Sequence, residues 1–199
     1  MSVIYLHTNL QDFCHLRPKP KMTYSITEDL PQLIEKLDKS YYEALLSLCD
    51  AAKKHALKLQ ELEVHLATSQ YVALCNKLID EVNHFVTFKK ENFIPYLRSL
   101  VEKEQEKHDC TTCAGNCNVK HELQLLDLRQ SHLQLKDIIY RVQMVALPLY
   151  SETIYPDVYR LLRNRMALIE STLTELFSVE ETRLIPRISE AQKNINARG

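Results

Sequence analysis

The stretch from Lys107 to Glu122 reads KHDCTTCAGNCNVKHE and holds three of the six cysteines and two of the eight histidines of the chain. Written as ligands it is H-x-C-x2-C-x3-C-x3-H: His108, Cys110, Cys113, Cys117 and His121. Three thiolates and one imidazole suit tetrahedral zinc, and C-x2-C brings two sulfurs to one point through a tight turn. Gly115 supplies the backbone freedom for that turn. Cys117 and His121 are four residues apart and so neighbours on one face if a helix begins near Asn116. The spacing predicts a Cys3His zinc site with His121 as fourth ligand and His108 as its substitute or outer partner. Three other readings compete. A [4Fe–4S] cluster would accept the three cysteines but lacks the fourth. A Cys110–Cys113 redox pair lacks the βαβ context that such dithiols keep. Free thiols at a helix junction are the plainest outcome.

A second set of chemical residues lies in lines that are otherwise apolar. His132 takes a heptad core position among Leu125, Leu128, Leu135, Ile139 and Val142. Glu180 follows Leu162, Met166, Ile169, Leu173 and Leu176 in the last such line. His84 and Glu91 stand seven apart, two turns along one helix, with Phe88 between them. Inward His and Glu from different helices converge on a bundle axis, which is how such folds hold transition metals. Each of these residues could equally be a hydrogen-bonded core group or sit at a flared end.

The elements that must position these residues are helical. Only two glycines occur, Gly115 and Gly199, so few positive φ angles and few hairpins are available. Residues 1–24 read as an irregular arm broken by Pro18 and Pro20, and 25–199 as one helical domain. SITE (Ser25 to Glu28) has the S-x-x-E form of a capping box. A first helix then carries Ile34, Leu37, Tyr41, Leu45, Leu48, Ala52 and His55 to about residue 64. Thr68 or Ser69 is the expected N-cap of a second, with Tyr71, Leu74, Leu78, Val82, Phe85 and Phe88 inward and a kink at Pro95. The two heptad lines supply the third and fourth helices, with Pro186 near the end. Four long helices with short links predict an all-α, up-down-up-down four-helix bundle. Cys49 and Cys75 fall in helical patterns and are expected simply to pack.

Composition narrows the function. The chain has 199 residues, is 45% hydrophobic and 26% charged, and carries a net charge of -1, so a basic surface for nucleic acid is not available. No apolar run approaches the ~20 residues of a membrane span, and the start does not read as a signal peptide. The expected compartment is therefore the cytoplasm, where clustered cysteines serve metals or redox chemistry more often than disulfides. No G-x-S-x-G stretch or phosphate-binding loop is present.

Three segments carry a resemblance. DLPQLIEKLDKSYYEALLSL is similar to the opening helix of hemerythrin-like proteins of the repair-of-iron-centres group, which runs L-I-x-x-I-x-x-x-Y-H-x-x-L. NHFVTFKKENFIPYL resembles the H-x-x-x-E-E-x-x-L-F-P segment, and LFSVEETRLIPRI its second copy. LRQSHLQL falls where the family has an E-H pair. The resemblance covers roughly residues 29–190 and implies a four-helix bundle with a carboxylate-bridged di-iron centre, linked to oxidative and nitrosative damage of iron–sulfur clusters. It implies iron ligands at His132 and Glu180, with His84 one position from the expected histidine. Tyr42 and Leu176 replace the other two histidines, and Lys89 and Lys90 stand at carboxylate positions, leaving the displaced Glu91. Three functions stay open: a divergent metal-binding protein with iron or another metal in the core, a zinc- or redox-responsive module built on the cysteine stretch, and a metal-free scaffold that binds a partner protein or a second copy.

Overall fold

The computed structural model describes residues 29–62, 66–106, 108, 116–146 and 156–197. The arm expected over 1–24, the box at Ser25–Glu28 and the link after Ala146 lie outside the described residues. All regular structure among the described residues is helical, in four uninterrupted stretches: 30–61, 66–105, Asn116–Ala146 and 157–196. None of these helices is long and apolar enough to cross a membrane.

The first helix starts at Leu30. Asp29 is its N-cap, accepting the Gln32 N–H at 2.8 Å while the Gln32 side chain accepts the Asp29 N–H, and Pro31 sits in the first turn. The second helix begins at Leu66, earlier than the expected cap at Thr68 or Ser69, and Thr68 is buried within it.

Three of the four helices contain a π-helical turn: Leu37–Tyr42 in the first, Lys89–Phe93 in the second and Glu180–Leu184 in the fourth. A π-turn inserts one residue and rotates everything after it by about 100°. The consequence is visible in the first helix. Tyr42 and Cys49 are buried where the uninterrupted periodicity predicts Tyr41 and Leu48, which are half-buried. Pro95 and Pro186 each follow a π-turn and open the next α-helical segment. The proline's missing N–H and its ring clash with the preceding turn are thereby absorbed by the wider loop of backbone.

The start of the first helix packs on the end of the second, and Glu43–Glu61 packs on both Leu66–Phe88 and Asp157–Val179. The third helix lies on Leu66–Phe88, and the ends of the second and fourth helices meet. All four contribute to one core, in which Leu45, Leu78, Leu128 and Leu173 are buried. Phe85 links the first, second and fourth helices through edge-on contacts with Tyr42 and Phe177, centroids 6.5 and 6.3 Å apart. Cys49 and Cys75 are buried and free, as packing residues should be.

Candidate functional site

The three π-turns point their first or last residue at the same place in the core. Tyr42 ends the first, Lys89 begins the second and Glu180 begins the third. The third helix has no π-turn among its described residues and supplies His132 from its regular heptad line. All four side chains are buried, Glu180 completely.

Glu180 is the hub. The Tyr42 hydroxyl donates to its Oε1 at 3.1 Å, and the Lys89 Nζ lies 3.6 Å from the same oxygen. His132 Nε2 stands 2.6 Å from Oε2; because a carboxylate only accepts, Nε2 carries the proton. The other ring nitrogen, Nδ1, faces Glu181 Oε1 at 3.3 Å, and Lys136 reaches that same oxygen at 3.4 Å near the surface. The ammonium of Lys89 also rests on two aromatic faces, 4.1 Å from the Phe93 centroid and 5.1 Å from that of Phe85. The His132 ring lies against Phe177, centroids 4.1 Å apart.

These contacts set the charges. Burial alone would push the Glu180 carboxyl up, but the Lys89 ammonium, then His132 and Tyr42, outweigh it and hold the group below the usual carboxylate range. Burial pulls Lys89 down from the ordinary lysine value, with Glu180 opposing that pull. Burial and the adjacent carboxylate push the Tyr42 phenol well up, so it stays a donor. The result is a closed unit: one carboxylate, with the Lys89 ammonium and the Tyr42 hydroxyl at its Oε1 and the His132 N–H at its Oε2.

Such a unit does not fit a dinuclear iron centre. Two adjacent ions need about ten donor positions between them, and among the described residues the core brings together His132, Glu180 and the Tyr42 hydroxyl, with Glu181 reaching His132 from the surface side. Phe85 and Leu176, both apolar and buried, face the interior one turn before Lys89 and Glu180. The Lys89 ammonium itself occupies the space beside Oε1 where a cation would sit. Among the described residues, no group of three or more His, Cys, Asp or Glu side chains is arranged to hold a metal ion.

Two residues expected to face inward do not. His84 and Glu91 are both exposed. Phe85 and Lys89 take the inward positions, and His84 is turned about 100° away from Phe85. It instead lines a shallow surface groove of about 220 Å³ between the second and third helices, with Glu81, Asp127 and Gln134.

Of the cysteine stretch, Cys110 and Cys113 lie outside the described residues. Cys117 and His121 are buried on the core side of the third helix, one turn apart. Cys117 Sγ is 3.6 Å from His108 Nε2 and accepts from Lys103 Nζ at 3.2 Å. His121 Nδ1 is engaged by the Tyr96 hydroxyl at 2.8 Å, which leaves Nε2 as the nitrogen available to a ligand. Burial pulls His121 down, favouring the neutral imidazole that a metal requires.

Sequence reasoning passed over Lys89 and Tyr42 as lost ligands, although a signal for Lys89 was present. It stands four residues from both Phe85 and Phe93 on an apolar line. Superposing FIP (93–95) on LIP (184–186) also sets Lys89 opposite Glu180, so the two stretches carry opposite charges at matching positions. No protein-family model, no curated protein and no solved structure matches the chain.

Proposed function

We propose that the chain is a divergent, hemerythrin-like, up-down-up-down four-helix bundle that has exchanged its metal centre for an internal ion pair. It then works as a metal-independent scaffold that binds a partner protein. One observation carries this reading: Lys89, buried between two aromatic rings, places its ammonium on Glu180 where the family resemblance would put a cation. An ammonium of fixed position neutralises the carboxylate as a metal would, but offers no open coordination position and no redox couple. The pairing of the first helix with the second and fourth, and of the second with the third, supports the bundle topology. The test is metal analysis of untagged protein with melting in the presence and absence of chelator. Less than a tenth of an iron per chain and an unchanged core melt are expected; near two irons per chain with oxo-bridge absorption would overturn the reading.

A second reading concerns the junction between the second and third helices. The approach of His108 Nε2 to Cys117 Sγ supports a zinc site there, completed by two of Cys110, Cys113 and His121. One zinc per chain, lost in Cys117→Ser and retained in His132→Gln, is the expected result. Zinc that survives Cys117→Ser would remove this second reading without touching the first.

A further inference from the structure

The third helix is apolar on two opposite faces. Its inner face carries Leu125, Leu128, His132 and Leu135. Its outer face carries Val119, Leu123, Leu126, Leu133, Tyr140 and Met144, each between 48% and 68% exposed. These six fall at spacings of four, three, seven, seven and four, a heptad seam whose two polar places are Gln130 and Asp137. Isolated exposed leucines are ordinary, but a continuous seam of about 38 Å on one helix is not.

We infer that this seam pairs with the same seam of a second copy, the two third helices running antiparallel about a two-fold axis. The pattern is centred between Ser131 and His132, so a two-fold through that point covers all six apolar residues at once. Val119 meets Met144 of the second copy, Leu123 meets Tyr140, Leu126 meets Asp137 and Gln130 meets Leu133. A parallel pairing would instead set Asp137 against Asp137 in the seam, a like-charge contact that the antiparallel one avoids. The flanks carry the opposing term, with Lys120 near Arg141 and Arg129 near Lys136 across the axis. Two of these four cations are already compensated within their own chain, Arg141 by Asp137 at 2.9 Å and Lys136 by Glu181 at 3.4 Å. The residual repulsion is screened by salt, so the dimer should tighten as ionic strength rises.

This surface is independent of the core chemistry. It deepens the binding reading above and rests on it only in that the chain acts through its surface; iron in the core would overturn that reading and leave the dimer standing.

The experiment is sedimentation equilibrium of the full chain at low and high salt, for the wild type, Leu133→Glu and Leu126→Glu. The substituted side chains face solvent, and an unchanged helical circular dichroism spectrum and melt of each variant at low concentration show that it is folded. The expected result is a species of twice the 23.3 kDa chain mass, favoured at high salt and reduced to one chain by either substitution. A spin label at the exposed Asn116 should then give a separation of about 45–50 Å, from a rise of 1.5 Å per residue on each side of the axis. Wild-type protein of one-chain mass up to concentrations on the order of 100 μM would overturn the inference. So would a dimer that both substitutions leave intact, or a label separation of about 10 Å, the distance between parallel packed helices.

Discussion

Replacing Lys89 by methionine isolates the ion pair on which the core reading rests. The change keeps the length and apolar stem of the side chain and removes only the charge. Glu180 would remain fully buried with its cation gone. Breaking a buried pair from one side costs about 3–5 kcal/mol. The hydrogen bonds from Tyr42 and His132 persist and keep the loss near the lower figure. Removal of the ammonium from the Phe93 and Phe85 faces costs up to about 2 kcal/mol, of which sulfur–aromatic contact returns about 1. A net loss of about 3–4 kcal/mol is expected, or a melting temperature lower by about 6–16 °C for a chain of this size. Glu180→Gln should cost a similar amount, because it leaves Lys89 buried without its anion, whereas the double variant should cost clearly less than the two singles together. Thermal and urea denaturation of all four proteins close the cycle. Singles costing under about 1 kcal/mol, or strict additivity, would refute the claim that the pair is a coupled buried unit.

The same variant has a pH signature of definite sign. In the wild type the Glu180 carboxyl is held below its unfolded value, so the stability it contributes is present above the ordinary carboxylate range and is lost as pH falls through the folded value. In Lys89→Met, burial is no longer outweighed by the ammonium and the folded value moves up. The carboxyl then takes up its proton more readily folded than unfolded, and the variant gains on the wild type as pH falls from neutral. A gap between the two that stays constant from pH 7 to pH 5 would contradict this.

Further outcomes follow from the same geometry. Lys89→Glu puts a second carboxylate beside Glu180 and should destabilise the chain when metal-free, yet make its melting temperature rise on addition of cobalt(II), which leaves the wild-type core unmoved; ligand saturation at a hundredfold excess over Kd is worth about 2.7 kcal/mol. His132→Ala removes a hydrogen bond to a buried charge and should cost about 2–3 kcal/mol, while His132→Gln, which keeps a donor near Oε2, should recover part of it in the same denaturation assay. Burial pushes the thiols of Cys49 and Cys75 up to about 12, so both should resist alkylation at pH 8 in native protein and react on unfolding, as peptide mapping would read out. Tyr96→Phe frees His121 Nδ1, and should lower zinc affinity at the junction about tenfold if zinc is held there.

Much of the architecture is legible in the residue pattern. Four helical lines and the scarcity of glycine follow from periodicity and backbone sterics, which act within a few turns of chain. In the fourth helix Leu162, Met166, Ile169, Leu173, Leu176 and Glu180 are all buried, as their spacing predicts. The same holds for His132 in the third. These regular lines hold because nothing in them interrupts 3.6 residues per turn before the site is reached.

What tertiary structure alone decided is the direction each residue takes after a π-turn and the state of charge at the centre. One inserted residue turns Tyr42 in and Tyr41 partly out, and the spacing of apolar residues around it does not distinguish the two. His84 and Phe85 are adjacent, and packing against Tyr42 and Phe177 selected the phenylalanine for the interior. Lys89 is the clearest instance. A lysine read alone belongs at the surface, because burying an unpaired ammonium is too costly. It lies inside here because Glu180, near the other end of the chain, arrives at the same point, and that Coulombic partner exists only once the helices have packed.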